Sequence, residues 1–213
     1  FLRESQQMLV RPELVGLPAT TGQTSRVLDR AAGQLEGALV RGDDEQCRQI
    51  TLDLYLAEHS LSTILDQVFA PAFVSIGDRW ECGDVEVYQE RRACEITLLV
   101  LNDLRALIPA PPTNSPLALG GAVEGDQYNL GTTMAELVLR DSKWNAISLG
   151  SNLPMVTLAE AIKHHRPRLF WISCSHIRDE TAFLRGYSEL YEEFGLDVAF
   201  VVGGRSLVES VRQ

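Results

Sequence analysis

Four short strings in this chain bring together residues able to hold a ligand: Asp126-Gln127-Tyr128-Asn129-Leu130-Gly131, Leu149-Gly150-Ser151-Asn152-Leu153-Pro154, Ser173-Cys174-Ser175 and Val202-Gly203-Gly204-Arg205. Glycine has no Cβ, so Gly131, Gly150, Gly203 and Gly204 allow backbone to approach a wide, plate-like ligand closely. Each of them alone also suits a tight turn. Ser173 and Ser175 can donate hydrogen bonds into a cleft or cap the helix that follows. Earlier in the chain Trp80 and Glu90 stand on either side of Gly83. A tryptophan ring buries a large area, either in a core or as a lid over a ligand. A carboxylate on an otherwise buried helix needs a partner, and Arg91, Arg92 or a donor on a ligand can serve Glu90.

The remaining reactive groups are scattered. Cys47, Cys82, Cys94 and Cys174 have no paired spacing, which argues against a zinc ribbon and against a disulfide framework, and points to a reducing, cytoplasmic setting. Cys47 and Cys174 read as inert buried thiols. Of His59, His164, His165 and His176, only His176 lies beside one of the four strings. Neither a glycine-flanked serine elbow nor two histidines one helical turn apart occur, so no hydrolase or zinc-peptidase signature is present.

The elements that must position these groups fall into two sets. From Thr24 to Arg41 apolar residues recur at helical spacing (Val27, Leu28, Ala31, Leu35, Ala38, Leu39), and Gly42-Asp43-Asp44 stops one helix and caps the next. A second helix runs to about His59. A third begins near Ser60 with Leu61, Ile64, Leu65, Val68 and Phe69 as its buried stripe, and carries Pro71, which should kink it. The fourth, from about Val85 to Ile108, is apolar at Ile96, Leu99, Val100, Leu104 and Leu107. Four helices joined by short loops read as a bundle over 24–108. Residues 109–116 form a proline-rich hinge. Beyond it, short apolar runs (Leu117–Val123, Ala146–Leu149, Leu169–Ser173, Val198–Val202) alternate with helical stretches near 131–140, 156–165 and 179–194. That alternation predicts a flavodoxin-like, Rossmann-like parallel sheet over 117–213, giving an α + α/β fold class. Such sheets bind ligands beyond the carboxyl ends of their strands, where all four strings lie.

Taken in order, the strings resemble the cobalamin-binding domain family, as found in light-sensing transcription regulators of the mercury-resistance-regulator (MerR) type. The likeness covers roughly residues 24–213. In the helical half the family shows a tryptophan followed by a helix bearing glutamate, matched here by Trp80 and Glu90. The resemblance implies a tetrapyrrole, cobalamin first, held between the helical bundle and the α/β domain. It implies contacts from Trp80, Glu90, Asp126, Tyr128, Gly131, Ser151, Ser173, Ser175, Gly203 and Gly204. It further implies a sensory, light-responsive module that is not itself an enzyme and that works as a homo-oligomer.

Tyr128 departs from the family pattern. In that pattern the third residue of the first loop is a histidine that ligates cobalt, with the aspartate two residues earlier orienting it. A phenol, whose ordinary pKa is about 10, stays neutral and is a poor ligand for cobalt, although tyrosinate does ligate haem iron in catalase. The metal ligand is therefore open between Tyr128 and His176. The cofactor is open as well: a cobalamin without a protein histidine, a haem, or a bilin such as biliverdin anchored through Cys82 or Cys94. An empty pocket in an assembly module also fits. A methyl-carrier subunit of a methyltransferase fits the length.

Composition narrows the partners. A hydrophobic content of 45% with 23% charged residues is that of a globular protein, and a net charge of -10 repels phosphate backbones. DNA contact is thus expected only through a preceding domain, for which 1–23 reads as the linker. The opening Phe1-Leu2-Arg3-Glu4 resembles the tail of small helix-turn-helix domains. No apolar run reaches the roughly 18 residues of a membrane span.

Overall fold

The computed structural model describes residues 20–207, with side chains from Ser25 onward. Most of the expected linker, including Phe1-Leu2-Arg3-Glu4, lies outside the described residues. Its last four positions are helix, because α1 runs Thr20–Arg41 and starts before Thr24. The chain divides into two compact units, Phe1–Ala93 and Cys94–Gln213.

In the first unit α1 is followed by α2 (Asp44–Leu56), α3 (Leu61–Ile64), a π-helical turn (Leu65–Phe69) and α4 (Ala70–Glu81). Gly42, at φ 72°, reverses the chain after α1. Asp43 then caps α2 by accepting the Gln46 N–H at 3.0 Å. Ser60 caps α3 in the same way through the Thr63 N–H at 3.2 Å. The second helix ends at Leu56, ahead of the expected His59. The expected kink at Pro71 takes the form of the π turn just before it. Proline has no N–H for the carbonyl four residues back and its ring crowds that carbonyl, so the helix widens by a residue there.

Leu28, Leu35, Leu39, Leu61, Ile64, Val68, Phe69 and Ile76 form the core of this unit, each at most 2% exposed. Val27, expected in the stripe, is exposed instead. Arg79 pairs with Glu36 at 2.8 Å, joining α4 to α1. The long helix α5 (Val87–Leu107) crosses the division between the units. Its start is tied to the turn after α1 by Gln89 donating to the Val40 carbonyl at 3.1 Å and Arg92 donating to the Gly42 carbonyl at 2.9 Å. Ile96, Val100 and Leu104 are buried one helical turn apart, while Leu99 and Leu107 lie off that ridge and are exposed, contrary to expectation.

The second unit holds β1 (Leu117–Ala122), α6 (Leu130–Asp141), β2 (Asn145–Ser148), α7 (Met155–His165), β3 (Leu169–Ser173), α8 (Glu180–Phe194) and β4 (Ala199–Gly203). Its strands are parallel in the order β2-β1-β3-β4. This is the α + α/β class expected, with strand and helix limits within a residue or so of those read from the pattern. One face of the sheet packs Leu119, Phe170 and Ile172 against Leu158 and Ile162 of α7 and Phe183 and Leu190 of α8. The other face packs Ala118, Ala146 and Trp171 against Ala135 and Leu139 of α6. Here the Trp171 indole donates to Thr132 Oγ1 at 3.0 Å, and that hydroxyl meets Ser148 Oγ at 3.0 Å. A buried indole N–H thus has its partner. Glu136 of α6, buried, is met by Arg140 at 2.9 Å and by Arg105 of α5 at 3.1 Å.

Register decides where the motif loops leave. Ala122 pairs with Ser173, and Ser173 with Gly203, so β1, β3 and β4 end level. A bridge from Val123 to Leu153 brings the β2 loop to the same edge.

Candidate functional site

At that edge the side chain that organises the loops is Asp126, which is fully buried. Its Oδ1 accepts the Tyr128 N–H at 3.0 Å, while Oδ2 accepts the N–H of Ser175 at 2.6 Å and of His176 at 3.2 Å. The Asp126 carbonyl accepts the Asn152 N–H at 2.9 Å. One residue therefore joins the loops after β1, β2 and β3. A carboxylate withdrawn from water is tolerable here because backbone donors replace its hydration. The resemblance gave this aspartate a different task, orienting a ring. In this chain both oxygens are engaged by backbone.

Around it the small residues close in. A Cβ on Gly131 would stand 2.6 Å from Ser173 Oγ and 3.7 Å from Ser175 Oγ, so the start of α6 approaches the end of β3 in a way only glycine permits. Gly204, at φ 133°, lies against the Cys174 backbone, and Ser206 Oγ donates to the Ser175 carbonyl at 2.9 Å, which adds the β4 loop. Gly203 faces open space. Asp126, Tyr128, Gly131, Ser173, Ser175, Gly203 and Gly204 are thus gathered at one edge, as expected. Ser151 joins them only through its neighbour Asn152. Neither serine caps α8, because Asp179 does so through the Ala182 N–H at 2.9 Å.

Beside this cradle lies a cleft of about 1050 Å³ whose walls include Glu124, Gln127, Asn152, Ile177, Arg178 and Phe183. Asn152, at φ 58°, braces it by accepting the Gly125 N–H at 2.8 Å. The sequence reading did not single out these wall residues. Their one signal was adjacency: Gln127, Asn152, Ile177 and Arg178 sit within or just after the four strings.

In the first unit Trp80 is 49% exposed, which excludes a core role. Glu90 is partly buried and lies 3.4 Å from Arg91, one of the partners expected for it, while Arg92 serves the Gly42 carbonyl instead. His164 and His165 stand exposed at the end of α7, on the opposite edge of the sheet from the cradle, and His176 is exposed in the β3 loop. Among the described residues no group of three or more His, Cys, Asp or Glu could hold a metal ion.

The cysteines differ sharply. Burial, then the charge of Asp126, pushes the Cys174 thiol up to about 12, and burial, then Asp43 and Asp44, pushes Cys47 up to about 11. Both are inert thiols, as read from the sequence. Cys82 is exposed and Cys94 partly so. At pH 8 a thiol of pKa about 12 is thiolate in only about one molecule in ten thousand. Iodoacetamide at that pH is therefore expected to label the exposed Cys82 at least about a hundredfold faster than Cys174, whose burial limits both thiolate formation and access. Peptide mass spectrometry checks this, and equal labelling would contradict the burial of Cys174.

A helical unit is thus followed by a parallel sheet of flavodoxin-like strand order whose carboxyl-end loops are drawn together by a buried aspartate. Residues 31–104 match the model of a family described as "B12 binding domain". The monomethylamine corrinoid protein of Methanosarcina barkeri has a similar fold, at TM-score 0.70 and 16% identity over 87% of each chain. A cobalamin-binding protein of Desulfitobacterium hafniense (TM-score 0.44, 16% identity, 84% of this chain and 86% of that one) overlaps too loosely to bear on the fold. The same holds for the methanol:cobalamin methyltransferase complex of M. barkeri (0.42, 15%, 98% and 82%). No curated protein matches the chain. No described helix is long and apolar enough to cross a membrane.

Proposed function

We propose that the chain holds a cobalamin and acts as a carrier that presents it to a partner protein, without catalysing a reaction alone. The observation that carries this reading is the B12 binding domain match over 31–104, on a chain whose sheet gathers the small-residue cradle at its carboxyl edge. The residues fit such a group: Gly203 leaves open space where a Cβ would stand, Gly131 lets Ser173 and Ser175 bring their hydroxyls close to the start of α6, and Asp126 keeps the loops in place. Tyr128 is the one departure. When bound, cobalamin supplies a cobalt centre that takes up and releases a one-carbon group. The protein's part is to hold it, exclude water from one side and set the groups around it.

The carrier reading is favoured over light-sensing control of transcription because the likenesses reported above are to B12 and corrinoid proteins. None of those names mentions light, DNA, haem or a bilin. The test is reconstitution. The protein incubated with cobalamin and desalted is expected to retain close to one cobalt per chain, with a corrin absorption spectrum. Cobalt at background would overturn the reading. Cobalt retained, with a spectrum and oligomeric state that change on illumination, would return it to a sensor.

A further inference from the structure

We infer that His176, on the loop after β3, offers the axial nitrogen to a bound corrinoid in place of the residue at position 128. The inference rests on the cobalamin-binding reading above. Tyr128 and His176 belong to neighbouring strands' loops, and both backbones are fastened to one carboxylate: the Tyr128 N–H to Asp126 Oδ1, the His176 N–H to Asp126 Oδ2. Position 176 is therefore separated from position 128 by one carboxyl group and two hydrogen bonds, although the two are far apart in sequence.

Their surroundings agree as well. Gln127 and Ile177 help to wall the cleft, but Tyr128 and His176, each the next residue along, do not. The Ser175 and His176 N–H groups donate to the same Asp126 oxygen, so the His176 backbone adjoins a serine of the cradle. The His176 side chain is exposed, and none of the described hydrogen bonds or ion pairs uses its ring. An imidazole lone pair at neutral pH is a good cobalt donor, whereas a phenol must first lose a proton. His164 and His165 lie at the far edge of the sheet, and His59 lies between α2 and α3 in the first unit. The corrin ring itself supplies four equatorial nitrogens, so a single protein nitrogen completes the set, in keeping with the lack of any multi-residue metal cluster. In the step inferred, the neutral imidazole nitrogen forms the bond to cobalt, and a water or the cofactor's own base leaves it.

The test is electron paramagnetic resonance of the protein loaded with cob(II)alamin, with and without ¹⁵N-histidine. An axial ¹⁴N splits each cobalt line into three and an axial ¹⁵N into two. Wild type is expected to change from triplets to doublets on labelling, as is Tyr128→Phe. His176→Ala is expected to become insensitive to the label while keeping its melting curve, since its backbone N–H to Asp126 survives the substitution. Triplets that persist with labelled histidine mean the cofactor's own base is the ligand, and overturn the inference. So does a label effect that survives in His176→Ala. Failure to retain cobalamin at all, seen beforehand in the cobalt content, would overturn the cobalamin reading and this inference with it.

Discussion

Asp126→Ala is expected to loosen three loops together and to destabilise the chain by about 3–5 kcal/mol, the cost of leaving several enclosed backbone donors without an acceptor. The Tyr128, Ser175 and His176 N–H groups all lose their acceptor in that variant. Asp126→Asn should cost less. Its oxygen can still serve the Tyr128 N–H, but its NH2 group then faces two further donors. Urea unfolding gives the free energies, and amide hydrogen exchange at 128, 175 and 176 shows whether the loops open as a set. A loss below about 1 kcal/mol for the alanine variant would mean that water replaces the carboxylate easily, and that it is not what holds the site.

Gly131→Leu is expected to weaken cobalamin retention by more than about tenfold, equivalent to about 1.4 kcal/mol of binding, and to lower the melting temperature as well. The reason is steric. Even the first carbon of a side chain at 131 would press on Ser173 Oγ, with Ser175 Oγ close behind, so the cradle must be pushed apart to admit it. Gly131→Ala should fall between wild type and leucine in binding. Its intrinsic helix preference works the other way, by about 1 kcal/mol in favour of folding. Equilibrium dialysis against cobalamin alongside thermal melts separates the two effects. Unchanged affinity in Gly131→Leu would place the cofactor away from this cradle.

Much of the second unit was legible because its strands are short apolar runs closed by glycine and serine, and such runs carry their own boundaries. The parallel order then forces every strand-to-helix loop to one edge, so the gathering of Asp126, Gly131, Ser173 and Gly203 follows from local pattern plus handedness. The task of Asp126 was not legible. Its partners are backbone groups from another loop, far along the chain, and no side chain in the sequence announces them. The cleft walls were missed for a related reason: Glu124, Gln127, Asn152 and Arg178 follow no hydrophobic period, and pattern reading is blind to residues that matter only through position. In the helices Val27, Leu99 and Leu107 carry the pattern of core residues yet are exposed, because an apolar residue near the right phase looks the same whether or not a neighbour covers it.

The π turn at Leu65–Phe69 governs more than its own five residues. An α-helix advances about 100° per residue, so a segment that accommodates one extra residue resets the angular phase of everything after it. All of α4 inherits that offset, including Arg79, whose direction toward Glu36 depends on it, and Trp80, whose ring points outward rather than into the core. The azimuth of Trp80 is therefore encoded two turns and more upstream of it, around Pro71. Were the same residues wound as ordinary α-helix with none removed, that tryptophan would turn by roughly a quarter of a revolution, whereas deleting one residue between 65 and 69 would leave its direction unchanged.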